Sequence, residues 1–163
     1  MSFPEQANRP AEPSWFHENL LPGLHLPVDL PVHFIGDKIV NASDFDQRQN
    51  RFRLPAYCVM RSLRPIVTAE ELLAANMGYE DDHDVPTQSG RGRGLPVWVV
   101  DTDAGIIELQ MSRWESCPGV TIKGQGYIGF ITECSFTVRD VVQNRACKQH
   151  AFSPLYLVLA RKP

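Results

Sequence analysis

No apolar run in this 163-residue chain approaches the ~18 residues of a membrane span, and the first residues, MSFPEQANRPAEP, lack the basic-then-apolar layout of a signal peptide. The expectation is a soluble, intracellular protein. The four cysteines, Cys58, Cys117, Cys134 and Cys147, form no C-x-x-C pair, so they are expected to be reduced core or surface thiols. His17, His25 and His33 recur at intervals of eight, which matches no helical face, and Pro22, Pro27 and Pro31 interrupt them. His83 and His150 lie far apart, and no Ser, His and acid set with a nucleophile elbow is present. These absences point away from a metal site, a cofactor and an enzyme. Positive charge is also scarce overall: 16 Lys and Arg stand against 19 Asp and Glu, a net charge of −3. On its face that weighs against a nucleic-acid partner, because phosphate neutralisation supplies most non-specific affinity.

Distribution matters more than the sum. Between Gln47 and Arg64 the chain carries Arg48, Arg51, Arg53, Arg61 and Arg64 with no acid, while Glu80, Asp81, Asp82 and Asp84 gather elsewhere. The arginines either solvate a turn and a helix face or contact a partner; both readings stand. A literal G-x-G-x-x-G occurs at Gly124, Gly126 and Gly129. A dinucleotide fingerprint needs further βαβ units and an acid ~20 residues on, and the chain after Phe130 supplies about one such unit. Val120 to Lys123, the strand before the glycines, also carries a lysine where a buried parallel strand would be apolar. The glycines are therefore expected to shape a turn into a short helix.

Length fits one domain. Residues 1–34 hold six prolines and read as an extended arm, whose Trp15, Phe16, Leu20 and Leu21 either pack on the domain or bind a partner. Ile35 to Val40 reads as a first strand, Pro55 to Ser62 as a helix beginning at proline, and Thr68 with Glu71 as the capping box of a second helix that Gly78 closes. Residues 79–94 read as a mobile loop containing Arg91 and Arg93. The period then changes. Val97 to Val100 is a strand-length apolar run, Asp101 to Gly105 a turn, and Ile107, Leu109 and Met111 alternate with polar residues: an antiparallel hairpin. Val120 to Lys123, Asp140 to Cys147 and Leu155 to Arg161 supply further strands, with a short helix around Tyr127. At least six short strands and two or three short helices without βα alternation indicate a mainly β barrel or open barrel.

The segments IVNASDFDQRQNRFRLP (39–55), LPVWVVDTDAGIIELQMSRW (95–114), GQGYIGFI and FTVRDVV, in this order, resemble the plant-specific B3 family of DNA-binding domains, nearest its divergent reproductive-meristem-type and uncharacterised-domain members. The resemblance spans residues 35–161. It implies a seven-stranded open β-barrel with two arms that enter the major groove of double-stranded DNA, in a nuclear transcription regulator with no small-molecule substrate and no membrane role. By position it assigns the first arm to Asp46, Gln47, Arg48, Gln49, Asn50 and Arg51, and the second to Glu115, Ser116, Cys117, Pro118 and Gly119 with Lys123 just beyond. Arg48, Gln49, Asn50 and Arg51 would read bases; Arg53, Arg91 and Lys123 would contact phosphate. Tyr127 stands where the family usually has tryptophan, and is expected to anchor the core; Trp114 and Arg113 are expected at the barrel rim. Glu115 would repel phosphate, so the alternative is a protein-interaction module on the same barrel that has lost DNA binding, contacting other regulators or itself.

Overall fold

The alternation in the second half of the chain becomes sheet. A computed structural model describes residues 10–77, 94–114 and 117–163. Strands β1 (His33–Ile39), β2 (Arg51–Leu54), β3 (Leu95–Asp101), β4 (Gly105–Trp114), β5 (Cys117–Lys123), β6 (Val141–Cys147) and β7 (Leu155–Arg161) form one sheet in the order β1-β6-β7-β3-β4-β5-β2. Only β3 and β7 run parallel; the other pairs are antiparallel. Leu109 and Met111 of β4 are buried while Glu108 is exposed, as a half-buried strand requires.

The sheet curls into a nearly closed barrel whose edge strands are β1 and β2. Helices α1 (Ala56–Leu63), packed on β1 and β5, α2 (Ala69–Ala74) and α3 (Tyr127–Glu133) accompany it. The expected capping box is present in α2, where Thr68 Oγ1 accepts from Glu71 N at 3.2 Å and Glu71 Oε1 accepts from Thr68 N at 2.9 Å. Inside lies one core that includes Ile35, Phe52, Val97, Leu109, Ile122 and Leu157.

The proline-rich arm differs from its extended reading. Phe16–Leu20 and Leu21–Gly23 are consecutive helical turns. Pro22 stands at the start of the second turn, where its missing N–H costs nothing and its φ suits a helix. Phe16 is buried against Val100 and Val158, and Leu21, Leu26 and Leu30 against Cys147. The outer face of β6 and β7 is thus covered as well as the inner, which explains why these two strands are buried almost without alternation.

Candidate nucleic-acid interface

The first arm grows from a buried polar anchor. After β1 the chain turns through a 3-10 segment, Ala42–Phe45, in which Asp44 is 1% exposed. Its Oδ2 accepts from the Asn41 backbone N–H at 2.8 Å and lies 3.1 Å from Lys38 Nζ, itself on β1 and buried. The ammonium sits 5.2 Å from the ring centroid of Phe52 on β2, so the Lys38 side chain spans the gap between the two edge strands. Tyr127 Oη donates to the Asp44 carbonyl at 2.7 Å, and burial, reinforced by Asp44 and Cys134, pushes the phenol far above its ordinary pKa. It remains a neutral donor. Gly126 makes this possible: at φ 89° it turns the chain so that α3 begins with Tyr127 facing inward.

Beyond the anchor, Asp46 Oδ1 accepts from Arg48 N and the Asp46 carbonyl from Asn50 N, each at 2.8 Å. Asn50 closes the turn at φ 49°, a left-handed conformation that asparagine tolerates. Gln47, Arg48, Gln49 and Asn50 are therefore held exposed at the tip of an ordered turn. The chain then enters β2, where Phe52 and Leu54 face the core and Arg51 and Arg53 face outward, half-exposed. Arg51 is the register partner of exposed Lys123, and Arg53 that of Thr121. Directly paired residues share a face, so Arg51, Arg53 and Lys123 form one outward basic row continuous with the tip. Gly119 lets the row lie close. A Cβ there would come within 2.7 Å of the Leu54 carbonyl and 3.0 Å of Arg53 Cγ.

The second arm differs from the expected five-residue loop. β4 ends at Trp114 and β5 resumes at Cys117, its register partner, so Cys117, Pro118 and Gly119 belong to a strand and only residues 115 and 116 lie between. Pro118 is accommodated because β2 pairs only with Val120 to Lys123 and β4 carries an irregularity between Arg113 and Trp114. Glu115 and Ser116 themselves lie outside the described residues, as do Arg91 and all but the last residue of the loop expected at 79–94. Cys117 is six residues along β5 from Lys123, about 20 Å at strand rise. Cys117 thus lies at the far end of β5 from the first arm, whereas Gly119 lies against Arg53 and Lys123 pairs with Arg51. The Arg113 backbone N–H donates to the Ala75 carbonyl at 2.8 Å, and burial, then the nearby Arg64, lowers the pKa of its guanidinium.

The glycine-rich motif has a strand, a turn and a helix in the right order, but β5 and β6, the strands it connects, are not neighbours in the sheet. No βαβ unit forms there. Among the described residues, no three His, Cys, Asp or Glu side chains gather as metal ligands. The residues that sequence reasoning missed are Lys38 and Asp44. The one available signal was a lysine inside the predicted first strand followed six residues later by an acid.

No family model matches the chain, and no curated protein matches it. Among solved structures it is similar to the Arabidopsis FUS3-DNA complex, with 14% identity, a TM-score of 0.43, and coverage of 79% of this chain and 97% of that one.

Proposed function

We propose that the protein binds double-stranded DNA, inserting the turn at residues 46–50 into the major groove, and that it acts as a transcription regulator in the nucleus. The observation that carries this reading is the outward row of Arg51, Arg53 and Lys123 continuing into the ordered tip of Gln47, Arg48, Gln49 and Asn50. Arginine and side-chain amides are the groups that pair bidentately with guanine and adenine edges, at about 1–3 kcal/mol of discrimination each. Arg48, Gln49, Asn50 and Arg51 read bases in this scheme, while Arg53 and Lys123 hold phosphates and set register. Glu115 and Ser116 add little: a carboxylate repels phosphate and accepts only from a cytosine amino group.

The two-residue connection between β4 and β5 favours a second reading, a protein-interaction barrel without DNA affinity. Anisotropy titrations of a random duplex pool at several salt concentrations separate the two. DNA binding gives a negative log-log slope that shrinks by about one in Lys123→Ala, and Arg48→Ala relaxes preference at particular bases. No binding at low salt refutes the DNA reading, and a uniform loss across sequences in Arg48→Ala refutes base readout by that residue.

A further inference from the structure

The turn that leads into β6 holds an arginine in a backbone conformation that suits glycine. Arg139 has φ 81°, in the left-handed region, where the Cβ of an L-residue crowds the following carbonyl oxygen. Four hydrogen bonds fix it there. Thr137 N donates to Asp140 Oδ2 at 2.9 Å and Asp140 N to the Thr137 carbonyl at 3.0 Å, while Arg139 N donates to the Val40 carbonyl and Val40 N to the Asp140 carbonyl, each at 2.8 Å. Strain of this kind persists only where the surroundings over-determine it, and it gathers at ligand clamps. The Arg139 side chain is exposed and makes no hydrogen bond or ion pair among the described residues. The cations around it are committed: Arg161 Nε lies 3.1 Å from Asp140 Oδ2, Lys162 Nζ 3.7 Å from Asp37 Oδ2, and Lys38 is buried against Asp44.

Its place in the sheet gives this cation a use. The first arm joins the two edge strands, leaving β1 after Ile39 and entering β2 at Arg51. On the β2 side the next strand is β5, whose Lys123 pairs with Arg51; on the β1 side it is β6, whose lead-in residue Arg139 is bonded to Val40. Lys123 and Arg139 therefore stand on opposite flanks of the arm, each one strand beyond an edge strand. Three inter-strand steps of ~4.8 Å or more separate them round the rim, a span comparable to a major groove ~12 Å wide. A tip seated in that groove has a phosphate backbone on either hand, and the row of Arg51, Arg53 and Lys123 faces only one of them. Resting on the DNA reading above, we propose that Arg139 binds the phosphate backbone on the other side of the groove. The tip is then clamped between two strands of phosphate, which fixes its register without reading sequence.

Anisotropy titrations of a labelled random-sequence duplex pool between ~50 and ~200 mM salt test this with the full chain. Arg139→Gln should flatten the log-log slope by about one, so that the fourfold rise in salt costs the variant about 3.5-fold less affinity than it costs the wild type. The weakening should be uniform across sequences. Arg139→Lys should keep the wild-type slope. Arg139→Gly relieves the backbone strain, so it should melt at the same temperature as wild type or higher while its slope falls by about one. An arginine with only a structural part would move the melting temperature and leave the slope alone. A wild-type slope in Arg139→Gln beside a flattened one in Lys123→Ala overturns this contact and leaves the DNA reading standing, as does a loss confined to particular bases. A wild-type chain that binds no duplex at low salt overturns both.

Discussion

Replacing Lys38 by methionine isolates the anchor from which the first arm grows. The substitution keeps the length and apolar stem of the side chain and removes its charge. In the native protein the Lys38 and Asp44 side chains are 6% and 2% exposed, with 3.1 Å between Nζ and Oδ2. The variant leaves the Asp44 carboxylate with the Asn41 N–H but without a cation, in a place water scarcely reaches. Removing one member of a buried ion pair costs about 3–5 kcal/mol, because the remaining charge keeps its desolvation penalty. The lost contact with the Phe52 ring is contained within that figure. At about 2–4 °C per kcal/mol for a chain of this size, the melting temperature should fall by roughly 6–20 °C. Urea and thermal unfolding followed by circular dichroism measure both quantities. Asp44→Asn alone should cost a similar amount, by stranding the ammonium. The double variant should recover most of the loss, since neither charge remains and the amide oxygen introduced at position 44 can still accept from Asn41 N. The cycle should therefore show coupling of at least ~2 kcal/mol. A loss below ~1 kcal/mol for Lys38→Met, or a double variant as unstable as the two singles added, refutes the assignment of the pair as the structural base of the arm.

What was legible in the sequence follows from what is local. The β3–β4 hairpin, the α2 capping box and the glycine turn into α3 all rest on residues within a few positions of each other, and all are found. Strand β2 was not legible. Arg51–Leu54 is four residues long and has two arginines, so its alternation is intelligible only once Val120 to Lys123 is known to lie beside it. The helical turns at Phe16–Gly23 were hidden for a related reason: proline count argues against helix, and only the burial of Phe16 and Leu21 on β3, β6 and β7 repays the ordering of so short a segment. Lys38 and Asp44 pair across a turn whose shape depends on Tyr127, 83 residues beyond Asp44. At the site itself, the residue types of the first arm were readable, whereas their common face with Lys123 required the register of two strands that are distant in sequence.

Two further outcomes concern the N-terminal arm. Arg145 is 1% exposed between the rings of Phe16 and Phe34, at 5.4 and 5.5 Å; its Nη2 reaches the Ala11 carbonyl at 3.4 Å, while Nε and Nη1 find no acceptor among the described residues. Burial lowers its pKa, and Arg145→Met should leave stability within ~1 kcal/mol of wild type or raise it, with a loss above ~3 kcal/mol in urea unfolding counting against a poorly compensated charge. His17 fastens the arm to itself, with Nε2 2.6 Å from Glu12 Oε2 and Nδ1 2.8 Å from the Val28 carbonyl. The Glu12 hydrogen bond first, and the Val28 carbonyl next, raise the His17 pKa above 6.5. A raised folded-state pKa means that the protonated imidazole is the form the folded arm favours. Its contribution is fully present below the unfolded value of about 6.5 and is lost as pH rises through the higher folded value. Amides of Phe16–Gly23 should therefore exchange faster at about pH 8.5 than at about pH 5.5, after correction for intrinsic exchange, and His17→Gln should flatten the difference. Equal protection at both pH values in the wild-type chain, or a pH dependence that survives His17→Gln, would show that the arm is held by its apolar contacts alone.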